Sequence, residues 1–263
     1  MSYFISALIG GMKRMEEVAE WIDSRPFPHL GIELIAFTHQ EEYWNRLTQI
    51  LEKLRCPVSF HGPYVGTEGT SPKGSKEQEW LIESYDRVMK MAARYEVEHI
   101  VYHYTQKGCE QAEKEQRQRA AKENLDILLE MAASYGVNLL IENLPFPKVG
   151  VPLFDNKEYS DLFEEYKDGL SIIDVGHAHM NHMDIEAYLK SHGKQVKAYH
   201  FHNNNGIEDQ HNRMSDGTFS FETFSKVYKK YTPSANIVLE YEPHTKLGQE
   251  DLLKDLHSLQ SMF

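Results

Sequence analysis

The sequence is poor in the features that staple a chain, carry it through a bilayer or fasten it to nucleic acid. Two cysteines in 263 residues make no disulfide framework. Cys56 precedes Pro57 at the start of an apolar run and Cys109 follows Gly108 in a polar stretch, so both are expected as free thiols in a reducing compartment. No apolar run approaches the ~18 residues of a membrane span. The N-terminal MSYFISALIGGMKRM has a short apolar run with its positive charges after it, which reads as a buried strand and not as a signal peptide. Positive charge is also scarce: 28 Lys and Arg against 40 Asp and Glu leave a formal net charge of −12. That balance favours solubility and disfavours a broad basic face for nucleic acid. Neither a GxGxxG fingerprint nor a P-loop is present. No linker or low-complexity tract divides the chain, so one domain over residues 1–263 in the cytoplasm is expected.

What recurs instead is a run of short apolar segments: YFISALI, GIELIAF, PVSFH, EHIVYHY, VNLLIEN, LSIIDVG, VKAYHFH and NIVLEYE. Each has the length and the Val, Ile, Leu and aromatic content of a strand. Between them lie longer stretches of helical period. Leu81, Tyr85, Val88 and Ala92 share a helix face, as do Ala121, Leu125, Leu128 and Ala132, and Leu252, Leu256, Leu259 and Phe263. The charge-rich EQAEKEQRQRAAKEN reads as the solvated start of a helix. Gly136, Gly169 and Pro233 mark helix-to-strand junctions. Near-continuous apolar strands suit a parallel sheet buried on both faces. Eight strands alternating with eight helices in about 250 residues predict a single α/β (β/α)₈ TIM barrel; a doubly wound open sheet is the alternative.

In such a barrel the chemistry sits at the C-terminal ends of the strands. Six successive strands end in a metal-ligand residue type: His61; His103; Glu142; Asp174, with His177 in the next turn; His200 and His202; and Glu240. Fourteen histidines is a high count for this length, and histidine is the commonest protein ligand for transition metals. Clustered buried carboxylates repel one another, and cations relieve the repulsion. Imidazole with carboxylate suits Zn²⁺, Mn²⁺ or Fe²⁺. His200 and His202, two apart, point to the same strand face, so either could be the strand-seven ligand. Glu33 alternates toward the interior or the rim and is a candidate substrate contact, as are His202, Lys148, Arg213 and Lys246, the last three for a phosphate. His179, His182 and His244 fall in mouth loops, and Asn143 and Asn203 are candidates for orienting ligating imidazoles. No strand end offers a Ser-His-Asp set or a reactive cysteine.

The succession HGPY, a His after strand four, IEN, DVGH, HFHN, DQH and LEYE resembles the xylose isomerase-like TIM barrel superfamily (AP endonuclease family 2), and within it the endonuclease IV branch. The similarity spans strands three to eight. It implies nine metal ligands: His61 and His103 on one ion with Glu142 bridging to a second, Asp174, His200 and Glu240 completing the second, and His177, Asp209 and His211 on a third. It further implies a divalent-metal hydrolase, with two or three Zn²⁺ and with Glu142 and Glu240 as catalytic carboxylates, cleaving a phosphoester of a sugar or nucleotide by a metal-bridging hydroxide. The alternative is a sugar or sugar-phosphate isomerase or epimerase, whose members share only Glu142, Asp174, His200 and Glu240. There are departures. Asn203 stands where the branch usually has Asp. Lys148 and Gly206 stand where keto-sugar epimerases carry an acid and an arginine. The strand-two loop AFTHQEEYW is acidic where the repair enzymes carry basic and amide residues, which favours a small sugar over DNA as the partner.

Overall fold

The computed structural model describes residues 1–25, 27–246 and 248–263, without the side chains of 11–13. Eight strands, β1 (Tyr3–Ser6), β2 (Leu30–Ile35), β3 (Val58–His61), β4 (Ile100–Tyr102), β5 (Leu139–Glu142), β6 (Leu170–Asp174), β7 (Val196–Phe201) and β8 (Asn236–Leu239), pair in parallel in chain order. β8 closes on β1, so the sheet is a barrel and the open-sheet alternative falls. The N-terminal apolar run is β1 and is buried throughout. Cys56 and Cys109 are free. No described helix is long and apolar enough to cross a membrane.

The helices are α1 (Gly11–Asp23), α2 (Glu41–Leu51), α3 (Lys76–Arg94), α4 (Lys114–Tyr135), α5 (Asn156–Glu165), α6 (Val175–Met180), α7 (Ile185–His192), α8 (Phe221–Tyr231) and α9 (Gln249–Met262). The faces expected to pack do so: Leu81, Tyr85, Val88 and Ala92 on α3 are buried, as are Ala121, Leu125, Leu128 and Ala132 on α4. Local signals fix the ends. Ser75 and Ser220 accept hydrogen bonds from Gln78 and Thr223 at the starts of α3 and α8, and Asp155 and Glu158 form a capping box on α5. Gly136 ends α4 at φ +67°, a left-handed conformation that glycine adopts without strain. Nine α-helices stand among the described residues where eight were expected. The β6–β7 crossover holds two, because Asp174 and Asp184 each cap a helix there and the intervening His182 turns at φ +52°.

The barrel interior is layered. Val101, Leu140, Ile172 and Ala198, one from each of the four successive strands β4 to β7, form an apolar cluster inside the barrel. Two residues further along the same strands stand His103, Glu142, Asp174 and His200. The strand period of two therefore places these four directly above an apolar floor, at the C-terminal mouth. The β6–β7 register sets His200 beside Asp174.

Candidate metal centre

Three donor sets meet at this mouth. His61, His103 and Glu142 form the first, Glu142, Asp174, His200 and Glu240 the second, and His177, His202, Asp209 and His211 the third. Within each set the ligand atoms lie within 4.8 Å of one another. All nine residues singled out in the sequence are brought together, with Glu142 shared between two sets as the resemblance implied. His202 is the addition. The choice between His200 and His202 dissolves, because each serves a different set.

The second set has three carboxylates around one ring nitrogen. His200 Nδ1 lies 3.1 Å from Glu142, 3.4 Å from Glu240 and 3.9 Å from Asp174. Its other nitrogen, Nε2, faces Glu33 at 3.2 Å. Glu33 is completely buried, close to Ser59 and His99, and does not line the cavity at the mouth. The expectation of a substrate contact is corrected: Glu33 grips the back of His200 and aims Nδ1 at the carboxylates. This is the carboxylate–histidine arrangement found behind metal ligands.

Other rings are aimed from behind by backbone carbonyls. Nδ1 of His61 lies 3.1 Å from the Gly62 oxygen, Nδ1 of His177 3.0 Å from that of Asn143, and Nδ1 of His211 2.9 Å from that of Glu240. An N–H donated there turns Nε2 inward, where it becomes a ligand lone pair once it carries no proton. His177 and His211 then face Asp209 at 3.2 Å and 3.4 Å. His103 Nε2 meets Glu142 at 2.6 Å. One carboxylate oxygen of Asp174 accepts from the His177 N–H at 2.7 Å, and the carboxylate also meets His202 Nε2 at 3.0 Å. A Cβ on Gly176 would stand 2.0 Å from the His202 ring, so the glycine in DVGH makes room for a ligand. His202 Nδ1 is buried without a hydrogen-bond partner, a cost in a site that otherwise pairs its polar atoms.

The electrostatics ask for positive charge. Burial disfavours ionising the five carboxylates, Glu33, Glu142, Asp174, Asp209 and Glu240, but the facing imidazoles outweigh burial for four of them and hold these below the ordinary range. For Glu240 burial wins, and with the push of Glu142 and Asp174 it goes up to about 8. His200 and His177 are drawn well above the imidazole range and His211 up to about 10, against burial, by the surrounding acids. Metal-free, the cluster therefore holds extra protons at neutral pH. A divalent ion satisfies the same demand, and the hard-and-borderline donor set of carboxylate and imidazole suits one. His61, pushed down to about 4 by burial and by His103, is neutral and ready to ligate.

A cavity of about 630 Å³ opens above the donors. His61, His103, Glu142, His177, Asp209, His211 and Glu240 line it, whereas Asp174, His200 and His202 lie beneath. His202 is therefore buried below the surface a substrate meets. Lys148 lines the cavity but lies 3.7 Å from Glu208. Arg213 does not line it: its guanidinium is engaged by Asp255 at 2.7 Å and Asp251 at 3.6 Å on α9, a tie between the β7 loop and the last helix. Lys246 is exposed and outside it. His179 meets Thr218, and His244 meets Asn212 and Glu242. Of the two asparagines, Asn143 orients His177 only through its backbone oxygen. Asn203 braces the loop it begins, donating to Met214 and Phe219.

The sequence matches the profile of the xylose isomerase-like TIM barrel family over residues 11–261. No curated protein matches it. Among solved structures, a D-tagatose 3-epimerase-like protein superposes with TM-score 0.79 at 20% identity, covering 100% of this chain and 97% of that one. A 3-keto-D-glucoside 4-epimerase from E. coli gives TM-score 0.73 at 12% identity, covering 100% and 98%. An IOLI protein with a bound zinc atom gives 0.73 at 15%, covering 98% and 96%. The chain belongs to the xylose isomerase-like TIM barrel family.

Proposed function

We propose that the protein is a divalent-metal-dependent isomerase or epimerase of a small sugar, with Glu142, Asp174, His200 and Glu240 holding the metal. The observation that carries this reading is the second donor set: three buried carboxylates converging on one imidazole under a cavity of sugar-accommodating size. The structural likeness to sugar epimerases supports it as well. It reverses the order of the two readings drawn from the sequence. The phosphoester reading gains nothing from the cavity walls, where Arg213 and Lys246 are absent and Lys148 faces Glu208.

When bound, a divalent ion, of which Zn²⁺ is favoured by the mixed donors and Mn²⁺ or Fe²⁺ also fit, polarises a sugar carbonyl or hydroxyl. The remaining work is done by this chain. Glu142 is held through both oxygens, Oε2 by His103 and Oε1 by His200. Glu240 has contacts through Oε2 to His200 and His211, while Oε1 has no hydrogen bond among the described residues. Glu240 Oε1 is thus the atom suited to take a proton from the carbon beside the carbonyl and return it. Return to the former carbonyl carbon, with the proton of the adjacent hydroxyl passing to the former carbonyl oxygen, isomerises; return to the same carbon from the opposite face by a second, protonated carboxyl group epimerises. Lys148 and Gly206 replace the acid and arginine of keto-sugar epimerases, so the proton carriers here are drawn from the metal-binding acids. Glu33 keeps His200 aimed. Two free thiols and an acidic surface fit a reducing, cytoplasmic setting.

The test is proton exchange. Metal-replete protein in D₂O, offered a panel of ketoses and keto-glycosides, should place deuterium on the carbon next to the carbonyl, and Glu240→Gln should stop it. The first and third donor sets are what the hydrolase reading rests on. Release of phosphate or alcohol from a phosphoester panel without any carbon exchange would replace the proposal with that reading.

A further inference from the structure

Besides the acids and imidazoles of the donor sets, apolar side chains line the cavity. Phe146 on the β5 loop and Ile207 on the β7 loop are two of them, and they are among the few large apolar side chains left exposed, at 36% and 76%. An isolated exposed apolar residue needs no explanation, but two lining the same cavity offer apolar surface to a ligand that enters it. Both are held in place. The Phe146 N–H donates to buried Asn181, whose amide also donates to the Leu144 carbonyl. The next stretch is locked to the β4 loop by the reciprocal backbone pair Cys109–Val151, and Gly108 passes so close that a Cβ would lie 2.2 Å from the Val149 oxygen. On the other side, the Ile207 and Glu208 N–H groups both donate to Asn205 Oδ1. The Lys148–Glu208 approach, at 3.7 Å, joins the two loops. Beyond the donor sets the walls carry Glu208 and Glu242 against Lys107 and Lys148. At about 630 Å³ the cavity lies within the range that encloses drug-sized ligands and exceeds what one monosaccharide fills.

From these observations we propose that the substrate is an uncharged keto-glycoside, with its carbonyl on the sugar ring, whose ring sits over the donor sets and whose ring-sized apolar aglycone lies against Phe146 and Ile207. This names the substrate class of the isomerase or epimerase reading and rests on it. No arginine lines the cavity among the described residues and Lys148 faces Glu208, so the walls beyond the donor sets hold no cluster of cations to receive a phosphate or carboxylate on the sugar. A prearranged apolar surface gains free energy when an aglycone covers it, without a cost for ordering the loops.

The experiment is calorimetric titration of metal-replete protein with matched forms of each of several hexosides oxidised to a ketone on the ring: the methyl keto-glycoside, the p-nitrophenyl keto-glycoside and the 6-phosphate of the methyl form. The aryl form should bind about tenfold or more tighter than the methyl form of the same sugar, and the phosphate weakest. The double variant F146A/I207S should bring the aryl-to-methyl ratio toward one while metal content, read by elemental analysis, stays as in the parent. Tightest binding by a phosphate, equal binding of aryl and methyl forms, an aryl preference that survives the double variant, or no binding by any member would each overturn the proposal. Aryl-selective binding with no carbon exchange would leave this inference standing and remove the isomerase reading instead.

Discussion

Two layers of the same barrel, one strand repeat apart, have opposite characters. Val101, Leu140, Ile172 and Ala198 form a dry apolar floor, and two residues on, His103, Glu142, Asp174 and His200 form a charged layer. The backbone does the same thing in both, so the strands' inward direction supplies position and the side chains alone decide what that position does. The floor is stable by packing and needs nothing from outside. Most of the upper layer is buried as deeply, yet its carboxylates lean on imidazoles, of which His200 and neighbouring His177 are drawn well above their usual range, and Glu240 beside them is pushed up to about 8. One layer contributes stability; the other spends some of it on a donor set suited to a cation.

The largest expected break in that contrast is Glu142→Ala. Glu142 belongs to two donor sets, so elemental analysis should find both depleted and activity should fall by more than the 10–100-fold typical of lost outer partners. Ile172→Ala is its counterpart below. It should cost about 2–5 kcal/mol of stability in chemical denaturation and leave metal content unchanged; metal loss there would mean the layers are not separable. Glu33→Gln should weaken metal binding about 10–100-fold, followed by competition with a chelator, while the fold survives. An unchanged affinity would leave Glu33 as a buried acid with no hold on the metal.

Proton release sharpens the comparison further. His177, His200 and His211 carry raised pKa values in the metal-free protein, so they are protonated at neutral pH, and ligation requires them neutral. Metal binding must then release protons, about one or more per ion, and tighten as pH rises. Titration in buffers of different ionisation enthalpy measures this, and no buffer dependence would contradict it. The smallest effect belongs to Arg213→Met. Its pairing with Asp255 and Asp251 is partly exposed, so stability should fall by about 1 kcal/mol or less, with sugar binding unaltered.

The upper layer was legible in the sequence because it is written locally. A His, Asp or Glu at the end of each apolar run, read with the rule that barrel chemistry sits at strand C-termini, picks out His61, Glu142, Asp174 and Glu240 without any long-range information. Asp209 and His211 came only through a family resemblance, since they lie in a loop and no strand periodicity marks them. What stayed illegible depends on partners far along the chain. Glu33 meets His200 across 167 residues, and Arg213 meets Asp255 across 42, so neither the aiming of one nor the diversion of the other can be read from its neighbours. His202 was seen as a rival to His200 because alternation gives only the face. Its separate set follows from where α6 and the Asp209–His211 loop fold back. Gly176 carried a signal that could have been used: a glycine between two ligands in DVGH, early in a helix, is costly unless something needs the space.

The central claim is that the second donor set binds a divalent metal ion. Crystals of the protein grown with Zn²⁺ and measured at the zinc absorption edge test it most directly. An anomalous peak enclosed by Glu142, Asp174, His200 Nδ1 and Glu240 is the predicted result. Saturating zinc with no peak among those four residues would contradict it.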